Sequence, residues 1–177
     1  MSGKPSSDTE AAADSETGGT EVDSSAAQAV KTHMLMALAV GLVPIPLIDV
    51  AGLTAIQLRL LSRLSSLYKV EFSDQLGKSV IGSLLGAGGS FLASSAASSL
   101  LFGLIPVAGW VVSALNSSVF AGASTYAVGK VFSQHFASGG TFLTFDPEKV
   151  REYYAQQFQQ GTVEVADAAR SFAGVKP

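Results

Sequence analysis

From Ser25 onward the apolar and polar positions of the chain follow helical spacing. The first predicted helix, Ser25 to Val40, grows apolar toward its end through Val30, Met34, Leu35 and Leu38, with Asp23 or Ser24 as its cap. A second, Pro46 to about Tyr68, places Leu53, Ile56, Leu60, Leu64 and Leu67 on one stripe. A third follows Ser73, a fair N-cap, and enters an uncharged region through Leu76, Val80 and Leu84. The fourth covers Pro106 to about Phe136 and is interrupted at Gly139-Gly140. Asp146-Pro147-Glu148 then opens an amphipathic helix to about Gln159, presenting Val150, Tyr153, Tyr154 and Phe158, and a short helix fits Val163 to Phe172.

The main feature of the pattern is the stretch Ser79 to Gly129, 51 residues between Lys78 and Lys130 without a single charge. At 1.5 Å per residue that length covers about 30 Å of hydrocarbon twice. Phe102-Gly103-Leu104-Ile105-Pro106 breaks it near the middle, because proline lacks an N–H and glycine relaxes the backbone. The stretch is rich in Gly, Ala and Ser at four-residue steps, which lets helix backbones approach closely. Gly82, Gly86, Gly109, Gly122 and Gly129 are the expected helix-packing positions.

Gly41-Leu42-Val43-Pro44 resembles Gly103-Leu104-Ile105-Pro106, each turn lying between two apolar helices. The expectation is therefore an all-α fold of two pseudo-symmetric helical hairpins embedded in a membrane, with a C-terminal amphipathic helix. Residues 1–25 read as a disordered acidic tail, 26–138 as the hairpin-repeat domain and 139–177 as the C-terminal segment. The competing expectation is a water-soluble helical bundle with a tightly packed Ala/Ser core.

Charge is unevenly placed. The first thirty residues hold six acids against one lysine, and the remaining 147 carry ten basic and eight acidic side chains. No basic field of the kind nucleic acid requires is left. The absence of cysteine removes disulfides and thiolate chemistry. The first residues contain no signal-type apolar stretch, so membrane contact is expected through internal segments.

Asp49 shares the apolar stripe of the second helix, in the first turn after Pro46, where free N–H groups offset its charge. An acid in apolar surroundings is a candidate proton or cation station, and a first-turn cap is the simpler account. Arg59 and Arg63, four apart, share a face without an acid at helical spacing, which suits phosphate headgroups or a protein partner as well as solvent. His33 and His135 complete no metal-ligand set. No phosphate-binding glycine motif or nucleophile, base and acid set is present, so no enzyme activity and no cofactor are expected.

The run Pro44-x-Pro46-x-x-Asp49-x-Ala51-x-Leu53-Thr54-Ala55-Ile56-Gln57-Leu58-Arg59-Leu60-Leu61-x-Arg63-Leu64-x-x-Leu67-Tyr68 resembles the DUF697 family, related to YcjF-like membrane proteins of bacteria and cyanobacteria. Ile105-Pro106-Val107-Ala108-Gly109 and Thr125-Tyr126-Ala127-Val128-Gly129-Lys130 resemble its second half, and the likeness covers about residues 30–137. It implies a helical, membrane-associated domain of uncharacterised function, often attached to or working beside Era-like GTPase domains; this sequence shows no GTPase domain, so any GTPase is expected as a separate partner. It marks Asp49, Gln57, Arg59, Arg63, Thr125 and Tyr126 without giving them a chemistry. The resulting expectation is a structural or adaptor protein of a bacterial inner or cyanobacterial membrane, with cytoplasmic termini. Its expected partners are lipid, a second copy and a GTPase. An ion or proton carrier using Asp49 and a soluble helical binding module are the alternatives.

Overall fold

The computed structural model describes residues 7–42, 46–84, 108–172 and 174, all helical or in the turns between helices. Helix α1 is Ser7–Val40, α2 is Pro46–Leu67, α3 covers 74–84, α4 is Ala108–Ala137 and α5 is Pro147–Phe172. The α1 helix starts well before the expected Ser25. Its early residues, Asp8-Thr9-Glu10-Ala11-Ala12-Ala13, are rich in alanine, and a shortage of bulky apolar groups does not by itself prevent a helix. Likewise α5 runs unbroken through Gly161, where the pattern suggested a break.

Helix α4 lies at the centre and packs on α1, α2 and α5, while α2 and α5 make no packing contact with each other among the described residues. It runs antiparallel to α1: Gly41 meets Ser118, Gly122 meets the Met34 carbonyl, and Gly129 meets Val30. The α1–α2 pair is also antiparallel. Val40 faces Gly52 at one end, and Asp23 accepts a 3.0 Å hydrogen bond from the Tyr68 hydroxyl at the other.

The core joins Val30 of α1, Leu60, Leu61 and Leu64 of α2, Val80, Ile81 and Leu84 of α3, Val128, Val131 and Phe132 of α4, and Tyr154 of α5. Phe132 stacks on Phe145 at 4.6 Å between ring centroids and touches Phe142 and Phe136, closing the end of the bundle at the α4–α5 loop. Gly139, with φ of 79°, ends α4 in a left-handed turn; its N–H donates to Phe136 O, and Gly140 N–H donates to His135 O.

The membrane-embedded expectation is corrected. Among the described residues no helix is long and apolar enough to cross a membrane. Where the uncharged stretch is described, other helices cover it: Val80, Ile81 and Leu84 enter the shared core, and Ala121, Ala123, Ala127 and Val128 are buried. The physical reason lies in composition. Gly, Ala and Ser lower the mean hydropathy that lipid burial requires, yet they allow the tight helix contacts that a protein core can use. The Pro44 turn, the Pro106 turn and Gly86 lie outside the described residues, as do the side chains of Asp49 and Trp110.

Candidate functional site

The buried polar groups converge where α2 crosses α4. Gln57 is fully buried on the inner face of α2. Its Nε2 donates to Ser124 Oγ at 3.3 Å and Thr125 Oγ1 at 3.4 Å, both also fully buried. Ser124 donates onward to the Ala121 carbonyl at 3.2 Å, so its hydroxyl serves both helices. The Gln57 Oε1 and Ser118 Oγ have no hydrogen-bond partner among the described residues. Two long bonds and an unpaired amide oxygen make a costly seam, since a buried orphan acceptor costs about 1–3 kcal/mol. The seam fixes the register of α2 on α4. It contains no ionisable group and no base beside a hydroxyl, so it offers nothing for proton transfer.

Arg59 and Arg63 project from the opposite side of α2, both exposed. Neither makes an ion pair or hydrogen bond among the described residues. The exposed stripe they occupy continues through Ala51, Ala55 and Ser66. Tyr126 is half-buried on the α5 side of α4 and would lie close to any side chain at Gly161. Burial pushes its phenol above the ordinary range, and the nearby Glu164 carboxylate and Tyr153 add to the shift. The structure thus unites Gln57 with Thr125 and separates both from Arg59, Arg63 and Tyr126. Asp49 falls in the first turn of α2, and no described helix supplies the spanning path a carrier would need. No group of three His, Cys, Asp or Glu among the described residues is placed to hold a metal ion.

The close contacts along α4 have a clear chemical cause. A Cβ on Gly122 would stand 2.6 Å from Val165 Cγ2, and one on Gly129 would stand 2.6 Å from Val30 Cγ2. Gly82 faces open space, and Gly109 opens α4 beside the undescribed stretch. The pattern missed Gly161, where a Cβ would sit 2.9 Å from the Ala123 backbone. It also missed Ser124, though that residue directly precedes the marked Thr125, and the Tyr68–Asp23 tie, whose phenol burial pushes up to about 12 with help from the Asp23 hydrogen bond and charge.

These features define a class: an antiparallel helical domain with a polar seam inside and an uncompensated basic stripe outside. The chain belongs to the DUF697 family, described as a domain of unknown function, whose model matches residues 8–162. It is 42% identical over 132 residues to Magnetosome membrane protein 22 of Magnetospirillum gryphiswaldense, an alignment covering 75% of this chain and 68% of that protein. No solved structure matches the chain.

Proposed function

We propose that this chain is a helical binding module of a bacterial membrane system, holding partners at the membrane surface rather than transforming a substrate. The observation that carries the reading is the 42% identity, over three quarters of the chain, to a protein named for the magnetosome membrane. The bundle supports it in two ways. Its core is closed by its own helices, and its chemistry-bearing residues lie in a structural seam or on an exposed basic stripe. Both arrangements suit binding. A separate GTPase of the Era-like class is the protein partner that family resemblance favours.

Fractionation of bacteria producing the chain tests the reading. The protein should sediment with membranes at low salt and be released by alkaline carbonate, as a surface-held protein is. Recovery entirely in the supernatant at low salt would end the membrane reading. Retention on an immobilised Era-like GTPase domain loaded with GTP, and loss of that retention with GDP, would support the adaptor role. Equal retention in both states, or none, would count against it.

A further inference from the structure

We infer that the outer face of α2, centred on Arg59 and Arg63, docks on the phosphate headgroups of an anionic bilayer; this rests on the membrane reading above and names the surface and the ligand. The first support is the distribution of paired and unpaired charge. Lys31, Lys149, Arg151 and Arg170, on α1 and α5, each have a carboxylate within 4.0 Å. Arg59, Arg63, Lys69 and Lys78, all exposed on α2, its C-terminal turn and α3, have none among the described residues. Between Ser24 and Val70 the sequence holds four Lys or Arg and a single acid, Asp49.

The second support is that this charge is kept at a local cost. Like charges four apart on a helix repel by about 0.2–0.5 kcal/mol. Lys69 adopts a φ of 57° where glycine would be free of strain, with Val70 N–H donating to Ser65 O as in a helix-ending left-handed turn. The arginine pair gains nothing from its spacing in the isolated bundle, and Lys69 adds a further exposed positive charge at the C-terminal end of the same helix.

The third support is the ground around the arginines. The Val40–Gly52 and Asp23–Tyr68 pairings set an α1–α2 register in which Met36 falls opposite the Ala55 turn and Leu42 opposite the start of α2. Met36 and Leu42 are exposed, at 40% and 51%. Small residues at positions 51 and 55 leave this edge low. Exposed apolar groups on the α1 edge that adjoins α2 suit a surface that sits among headgroups. The arginine fork takes phosphate oxygens two at a time, as a lysine ammonium does not.

The test is co-sedimentation of the 177-residue chain with vesicles of phosphatidylglycerol and phosphatidylcholine in equal parts, or of phosphatidylcholine alone, in roughly 0.1 M salt. Binding is expected to the anionic vesicles only and should disappear at roughly 0.5 M salt. The double variant Arg59→Gln/Arg63→Gln should partition about 30-fold less. Arg59→Lys/Arg63→Lys should bind, and both variants should keep the parent's circular dichroism and melting midpoint because the replaced side chains are exposed and make no ion pair or hydrogen bond among the described residues. Unchanged partitioning of the glutamine variant would overturn the inference. So would a parent chain that sediments with cell membranes yet ignores anionic vesicles, an outcome that leaves the membrane reading standing and points to a protein receptor. A parent chain absent from cell membranes but bound to anionic vesicles through Arg59 and Arg63 would support the docking face and remove the proposed function.

Discussion

Gln57 shows how one residue can specify an arrangement without stabilising it. Its amide donates two long bonds to α4 while its carbonyl oxygen stays unpaired inside the core. Replacing a half-satisfied polar group by an apolar one of similar size removes the orphan along with the bonds. Gln57→Leu should therefore leave stability unchanged or raise it by about 1 kcal/mol in urea unfolding. Gln57→Ala should lose about 2 kcal/mol or more through the cavity it opens. A loss above about 1 kcal/mol for the leucine variant would mean that an ordered water satisfies the oxygen. The position was marked in the sequence by family resemblance alone, although it lies four residues after Leu53 and three before Leu60, on the stripe that α4 covers.

At the scale of helices, backbone approach decides which glycines matter. Gly161→Ala would drive a Cβ into the Ala123 backbone, so α5 must move off α4, and a loss of about 2–3 kcal/mol is expected. Gly129→Ala meets the Val30 side chain instead and should lose about 1–2 kcal/mol. Gly82→Ala meets nothing and should gain up to about 1 kcal/mol from helix propensity. Equal midpoints for all three in thermal melts would mean that α4 and α5 pack more loosely than described. The four-residue step of small residues pointed to Gly129, whereas Gly122 stands outside that series. Gly161 was not legible, since an isolated glycine looks the same whether it ends a helix or admits a neighbour. The lengths of α2 and α4 were legible as well, from their apolar stripes and the Gly139-Gly140 stop. What covers them was not, because lipid and protein select the same uncharged, small-residue surface.

The α1–α2 pair adds a pH dependence at the same scale. Tyr68 hydrogen-bonds Asp23, and burial first, then that bond and the Asp23 charge, push the phenol up to about 12. The native state thus holds this proton where the unfolded chain, with a phenol near 10, releases it. The contribution is complete below about pH 10 and fades as pH climbs toward about 12. For a phenol this open to solvent it amounts to about 1 kcal/mol after screening. Tyr68→Phe should be less stable than the parent at pH 8 and should lose less on going to pH 11. Parallel pH profiles for the two proteins would show that the tie carries no proton linkage.

Across the whole molecule the charges separate along the chain rather than mix. The first 23 residues hold six of the 14 acids and one basic residue, while residues 24–70 hold one acid and four Lys or Arg. Helix α1 connects the two regions. A Cβ at Gly18 or Gly19 would meet nothing within 4 Å, whereas Asp23 and Ala26 are already engaged with the bundle. Removing residues 1–17 takes away four acids and Lys4, leaving ten acids and ten basic residues, so net charge goes from −3 to 0. Because Gly18 and Gly19, the first described side-chain positions, face open space, unfolding free energy is expected to change by less than about 0.5 kcal/mol. Affinity for anionic vesicles should rise several-fold at low salt and converge with the parent's once the screening length falls to about 3 Å near 1 M salt. A shortened chain that binds no better at low salt would show that the acidic half of α1 lies beyond the reach of the basic face. The repulsion would then be too weak to tune docking, and the helix before Gly18 would be free for a partner of its own.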